Sequence, residues 1–191
     1  MTPTRIRWTI AAVAALALAL LTLAEPVPLT WSELAQTAGA GEACPADAKP
    51  ANLNFAMKDM NNRTVRLSDY KGKVILLDFW ATWCGPFKVE MPWFNEFQQK
   101  YGARGLQVIG VSVDDTLDKL KPYVAQMKIA YPVLQGLDHD DVQDAYGPMF
   151  GIPVTAVISR GGKVCAKHMG LNAKDAFENE IKALLDPHTT I

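Results

Sequence analysis

Apolar residues fall into two kinds of pattern along this chain. "KVILLDFWA" (73–81) and "LQVIGVSVD" (106–114) are almost unbroken apolar runs, which predicts strands covered on both faces of a sheet. Between them Phe87, Met91, Phe94, Phe97 and Tyr101 recur at helical spacing. They predict a helix over 86–102 with one buried seam. Pro86 stands in its first turn, where a missing N–H costs nothing, and Pro92 lies inside it, where a kink is expected. Leu117, Leu120, Val124 and Met127 predict a second helix, capped by Asp114 or Asp115 and interrupted at Pro122 into a separate first turn. "LNFAM" and "RTVRL" around "KDMNN" predict a small hairpin, and "VTAVIS" and "KVCAKHM" around "RGGK" predict another. A short helix is expected at "DDVQDAYG". A last helix starts at Asn172 and aligns Phe177, Ile181, Leu184 and Leu185 on one face. The order implies an α/β fold, a mixed sheet sandwiched by helices with an N-terminal β-hairpin.

The N-terminus carries a different pattern. Arg5 and Arg7 precede an uncharged run from Trp8 to Ala24, closed by Glu25 and Pro26. This fits a secretory signal with cleavage after Ala24. As a helix the run would measure about 26 Å, close enough to a hydrocarbon core of ~30 Å for an uncleaved membrane anchor. Two leading arginines disfavour a buried core helix. Both readings place the remainder outside the cytoplasm, in the periplasm or cell envelope, with the arginines on the inner side. Residues 25–50 are rich in Ala, Gly and Pro and read as a linker; 51–187 form one domain and 188–191 a tail. A net charge of -1 without a Lys/Arg stripe argues against a nucleic-acid partner.

Cys44, Cys84 and Cys165 make an odd count in a compartment that permits disulfides, so at least one thiol is free or pairs with another molecule. Their spacing resembles no zinc site, and no metal or cofactor is expected. Cys84 stands where a buried strand gives way to a helix. That position lowers a thiol pKa from about 8.5 towards 3.5–7.5, and the alternative is an inert core cysteine. Trp83 is expected at an exposed contact surface. Cys165 reads as a small core or surface residue and His139 as a solvated helix start; His168 and His188 show no partner pattern.

"VILLDFWATWCGPFKVEMP" resembles the active-site segment of thioredoxin-fold proteins, most closely the extracytoplasmic TlpA/ResA-like thiol–disulfide oxidoreductases of the AhpC/TSA–redoxin superfamily. "NLNFAMKDMNNRTVRLSDYKGK", "VIGVSVDD", "FGIPVTAVISRGGKV" and "HMG" match that family's other segments in order. The resemblance spans about residues 51–186. It implies a thioredoxin fold, a groove facing the first cysteine, and reduction of apocytochrome or other envelope disulfides. Cys84 matches the attacking cysteine and Pro153 the cis-proline of "GIPVT". Asp78 matches the buried acid that moves the second cysteine's proton. Trp83, Gly85, Pro86, Ile152 and Pro153 would bind the target, with backbone at Ile152 pairing to an extended chain. Glu90 and Pro92 match the family's "ExP" and are read as structural.

Phe87 departs from the pattern. It occupies the second cysteine's position and cannot attack a mixed disulfide to release the target; its ring, on the Met91–Phe94 seam, would plug the site instead. The leading expectation is thiol–disulfide exchange through Cys84 alone. The mixed disulfide would be resolved by a small thiol, by the target itself, or by Cys44. Expected partners are cysteine-containing envelope proteins, small thiols and a membrane reductant. One alternative is a non-catalytic client-binding module, which an ordinary or raised Cys84 pKa would favour. The other is a one-cysteine peroxide-reducing antioxidant, although the peroxiredoxin Pro and Thr positions fall at Leu77 and Ala81.

Overall fold

The computed structural model describes residues 44–147 and 149–186. The apolar run at 8–24, most of the expected linker, His188 and the tail lie outside the described residues. Among the described residues no helix is long and apolar enough to cross a membrane.

The first expected hairpin is β1 (Ala56–Lys58) against β2 (Thr64–Arg66), paired antiparallel. The main sheet contains β3 (Val74–Trp80), β4 (Leu106–Ser112), β5 (Val133–Gln135), β6 (Val154–Ile158) and β7 (Val164–Met169), in the order β5-β4-β3-β6-β7. β3, β4 and β5 are parallel; β6 runs antiparallel to β3, and β7 antiparallel to β6. The helices are α1 (Phe87–Tyr101), α2 (Leu117–Gln126), α3 (Asp140–Ala145) and α4 (Lys174–Leu185). This is the thioredoxin fold.

Every residue of β3 and β4 is buried, as their unbroken apolar sequence requires. Alternation sends Val74, Leu76 and Trp80 to a core shared with α1 and α4, and Ile75, Leu77 and Phe79 to a core beneath the hairpin and α3. Asp78 therefore belongs to the α1 side. The seam on α1 holds throughout: Phe87, Met91, Phe94, Phe97 and Tyr101 are all buried.

Four expectations are corrected. The sheet gains a strand, β5, whose three residues are too few to show a period. Pro122 does not split off a first turn, since α2 runs unbroken through it; α1 likewise contains Pro92, which is exposed, so water can reach a carbonyl it leaves unpaired. Neither aspartate caps α2, whose N-cap is Thr116 without a side-chain bond. Finally, Cys44 and Cys165 form a disulfide, with Cα atoms 4.6 Å apart. Cys165 is thus no inert residue, and Cys44 is not free to resolve Cys84. The reason lies in the backbone. The Val164 N–H donates to the Lys49 carbonyl at 2.9 Å, the Ala51 N–H donates to the Gly162 carbonyl at 2.8 Å, and Pro50 bridges Lys163. Residues 44–51 lie as a strap along the β6–β7 turn, away from the end of the sheet that carries Cys84.

Candidate functional site

β3 ends at Trp80, and the chain turns at once, the Cys84 N–H donating to the Ala81 carbonyl at 3.0 Å. Pro86 holds helical angles at the N-cap, so α1 begins directly after Cys84. Phe87, the first residue of α1, is fully buried and stacks on Trp80, ring centroids 4.0 Å apart and planes 12° from parallel. The ring fills the space where a second thiol would sit.

Cys84 is a free cysteine and is buried. Burial pushes its thiol above the ordinary value. The Phe87 N–H at the helix start opposes this, the charges of Asp78 and Glu90 add to it, and Lys88 opposes it weakly. The expected activation by the helix terminus is present but outweighed by desolvation.

Asp78 and Glu90 form a pair of buried acids beneath the site. Asp78 Oδ1 accepts from the Thr155 hydroxyl at 3.0 Å, and Glu90 Oε1 accepts from the Asn172 N–H at 3.0 Å. Their other oxygens have no hydrogen-bond partner among the described residues. Burial raises Asp78 well above the carboxylate range, with the Glu90 charge adding to it. Burial also raises Glu90, opposed by the Asn172 N–H and by His168. His168 has partners the sequence did not reveal: Glu180 at 2.9 Å and Asn172 at 2.6 Å. Because both acids bind protons more tightly when folded, their stabilising contribution is complete below about pH 4, where the unfolded carboxyls are also protonated. It is lost as pH rises through the raised folded values. Asp78→Asn, which keeps an acceptor for Thr155, is expected to gain stability relative to the parent as pH rises from about 5 to about 8. Urea unfolding at both values checks this; a constant difference would contradict it.

The loop before Cys84 is held from β4. Asp115 is buried and accepts from the Thr82 N–H at 2.7 Å, the Thr82 hydroxyl at 2.6 Å and the Ser112 hydroxyl at 2.7 Å. Asp114 accepts the Trp83 indole N–H at 2.9 Å. Sequence reasoning misses these anchors because two acids before a helix read as caps. The signal that could have found them is the parallel pairing of the two apolar runs, whose register Trp80↔Ser112 brings residues 82 and 115 side by side. Trp83 is 60% exposed, as expected.

The antiparallel pairing Phe79↔Val154 delivers the opposite wall. The Ile152–Pro153 bond is cis, as the resemblance implied, and the Pro153 carbonyl accepts from the Gly170 N–H at 2.8 Å. Ile152 is half-buried, while a side chain added at Gly85 would meet open space. The structure thus brings Trp83, Cys84, Gly85, Pro86, Ile152 and Pro153 to one end of the sheet, with Asp78 below. Among the described residues no cluster of His, Cys, Asp or Glu is arranged to hold a metal ion.

Comparison with known proteins gives the same picture. The AhpC/TSA family matches residues 48–167. The thiol–disulfide oxidoreductase ResA of Bacillus thuringiensis subsp. konkukian (strain 97-27) is 33% identical over 132 residues, covering 69% of this chain and 75% of that protein. ResA of Geobacillus thermodenitrificans (strain NG80-2) is 30% identical over 132 residues, covering 69% and 74%. A solved thiol:disulfide interchange protein of the DsbE type from Chlorobium tepidum is 35% identical with a TM-score of 0.66, covering 72% of this chain and 96% of that one. This chain belongs to the AhpC/TSA family and, within it, to the ResA-like thiol–disulfide oxidoreductases.

Proposed function

We propose that the protein carries out thiol–disulfide exchange through Cys84 alone. The observation that carries this reading is the cysteine arrangement: Cys84 is free at the start of α1, Phe87 fills the resolving position, and Cys44 and Cys165 are bonded to each other. The Cys84 thiolate attacks one sulfur of a client disulfide. A new S–S bond forms to Cys84, the client's S–S bond breaks, and the other client sulfur leaves as a thiolate. A small thiol, or that client thiolate, then attacks the mixed disulfide and regenerates Cys84. The clients are cysteine-containing envelope proteins, and the cysteine is recharged by small thiols or a membrane reductant. The extracytoplasmic location rests on Arg5, Arg7 and the apolar run at 8–24. Trp83, Gly85, Pro86 and the Ile152–Pro153 backbone receive the client, and Asp78 serves as the buried acid beneath Cys84.

The raised Cys84 thiol makes exchange slow at neutral pH and faster in alkali. It also favours a second reading, a client-binding module without turnover. Alkylation by iodoacetamide is expected to keep rising with pH beyond the ordinary thiol value of about 8.5. Glu90→Gln, by removing a charge near the sulfur, is expected to move the curve to lower pH. A midpoint near neutrality in the parent would contradict the account. The two readings separate on a protein disulfide such as insulin: exchange leaves a covalent adduct on Cys84, whereas a binding module leaves none.

A further inference from the structure

A row of polar side chains crosses the sheet beside the site. The register pairs Asp78 with Thr155 and Thr155 with His168, and residues directly opposite on neighbouring strands share a face. The row therefore runs from the floor of the site on β3 to the edge strand β7. Asp78 and Thr155 are buried, whereas the His168 side chain is 18% exposed and within reach of solvent protons. Its ring lies edge-on to the buried Phe177 of α4, centroids 4.9 Å apart, which fixes its plane. Exchange at Cys84 has so far given His168 nothing to do.

The partners of His168 fix where its proton sits. Asn172 Oδ1 accepts from the Ala173 N–H at 2.8 Å, so Asn172 Nδ2 is the atom facing His168 Nδ1 at 2.6 Å. An amide nitrogen only donates, so Nδ1 is the acceptor and the ring is neutral with its proton on Nε2. That proton is donated to Glu180 Oε2 at 2.9 Å. The charged groups set around the ring are Glu180 on α4 and Glu90 on α1, with Asp78 beyond Thr155. Their charges draw a second proton to the ring as pH falls. The short connection from β7 to α4 meanwhile serves two parts of the site. The Gly170 N–H donates to the Pro153 carbonyl at 2.8 Å, and the Asn172 N–H donates to Glu90 Oε1 at 3.0 Å.

We propose that His168 is a positioning residue for exchange: while neutral, its Nδ1 holds Asn172, and the loop so held fixes the cis-proline wall and Glu90. A second proton removes the acceptor. Nδ1–H then faces an amide donor, and Asn172 must let go or turn its amide over, which forfeits the Ala173 N–H at the start of α4. Histidine changes charge between about pH 5 and 8, so the loop is held in mild alkali and loosened in acid. A loosened Pro153 must be ordered again as a client docks, and that cost slows exchange with a protein disulfide. A small alkylating reagent does not need the wall, so its rate at Cys84 follows the thiolate alone. The role rests on Cys84 being the exchanging thiol, and it names the residue that holds the client wall in place.

The test compares the parent with His168→Asn, which keeps an acceptor at the Nδ1 position but does not titrate, and with His168→Leu, which has none. Nitrogen NMR of the parent ring at about pH 8 should show the Nε2–H tautomer. Hydrogen exchange then reads the protection of the Gly170 and Asn172 amides, corrected for the intrinsic rate at each pH. In the parent it should fall roughly fivefold between about pH 8 and 5, the loss of one hydrogen bond. It should stay level in His168→Asn and be low throughout in His168→Leu. The rate of insulin adduct formation at Cys84, divided by the iodoacetamide rate, should follow the same three courses. Asp78 and Glu90 are present in all three proteins, so a fall that persists in His168→Asn belongs to them and would overturn the proposal. The Nδ1–H tautomer would do the same, as would a rate ratio that stays level while protection falls. The parent and His168→Asn decide the matter alone should His168→Leu not fold. If protection follows His168 but Cys84 forms no adduct at any pH, exchange is rejected and the hold of His168 on the loop stands.

Discussion

Phe87→Cys should convert a protein that needs an external thiol or its client to leave the mixed disulfide into one that resolves it with its own second thiol. The variant places a second sulfur at the first residue of α1, three positions from Cys84 and at the same helix start. A tethered thiol acts at about millimolar effective concentration, so against external thiol at about 10 μM release should accelerate on the order of a hundredfold. Asp78, which has no second thiol to serve while Phe87 is in place, would regain the proton-transfer partner that the family resemblance assigns to it. The substitution also removes the stack on Trp80 and empties part of a closed seam, at about 2–4 kcal/mol. Thermal unfolding should therefore be checked before activity. The readout is insulin reduction with a small thiol as electron source. A folded variant that bonds Cys84 to the introduced thiol yet reduces nothing would show that the client surface, not the missing thiol, limits this protein.

Much of this site is legible in the amino-acid sequence. The apolar runs ending at Trp80 and Ser112, and the seam from Phe87 to Tyr101, are long enough for period and burial to agree, so strands, helix and the position of Cys84 follow from them. The remainder is decided by tertiary context. Asp114 and Asp115 read as caps, because local sequence cannot show that a parallel neighbour brings Thr82 and Trp83 within reach. The helix start predicts an acidified Cys84 thiol, because sequence shows the terminus but not the depth of burial or the two acids below. Cys44 and Cys165 are 121 residues apart, and the pairing of residues 49–51 with 162–164 brings them together.

That disulfide carries the second large expectation. It closes a loop of 121 residues, and in the chain-entropy picture a bond closing a loop of about 100 contributes up to about 4.7 kcal/mol. Removing both sulfurs with Cys44→Ser and Cys165→Ser should cost about 2–5 kcal/mol, the strap's two backbone bonds to the β6–β7 turn being too few to hold it alone. Urea unfolding of the double variant should match that of the reduced parent. Because the strap lies away from Cys84, the iodoacetamide rate at Cys84 should change little in the folded double variant. A loss below about 1 kcal/mol would contradict this entropic contribution.

The most direct measurement is non-reducing peptide mapping after the protein meets a disulfide-bonded client at mildly alkaline pH, with alkylation to stop exchange. The account predicts client peptide joined to Cys84 and an intact Cys44–Cys165 peptide in the same sample. Client attached to Cys44 or Cys165, or a Cys84 that is only alkylated, would contradict single-cysteine exchange at this site.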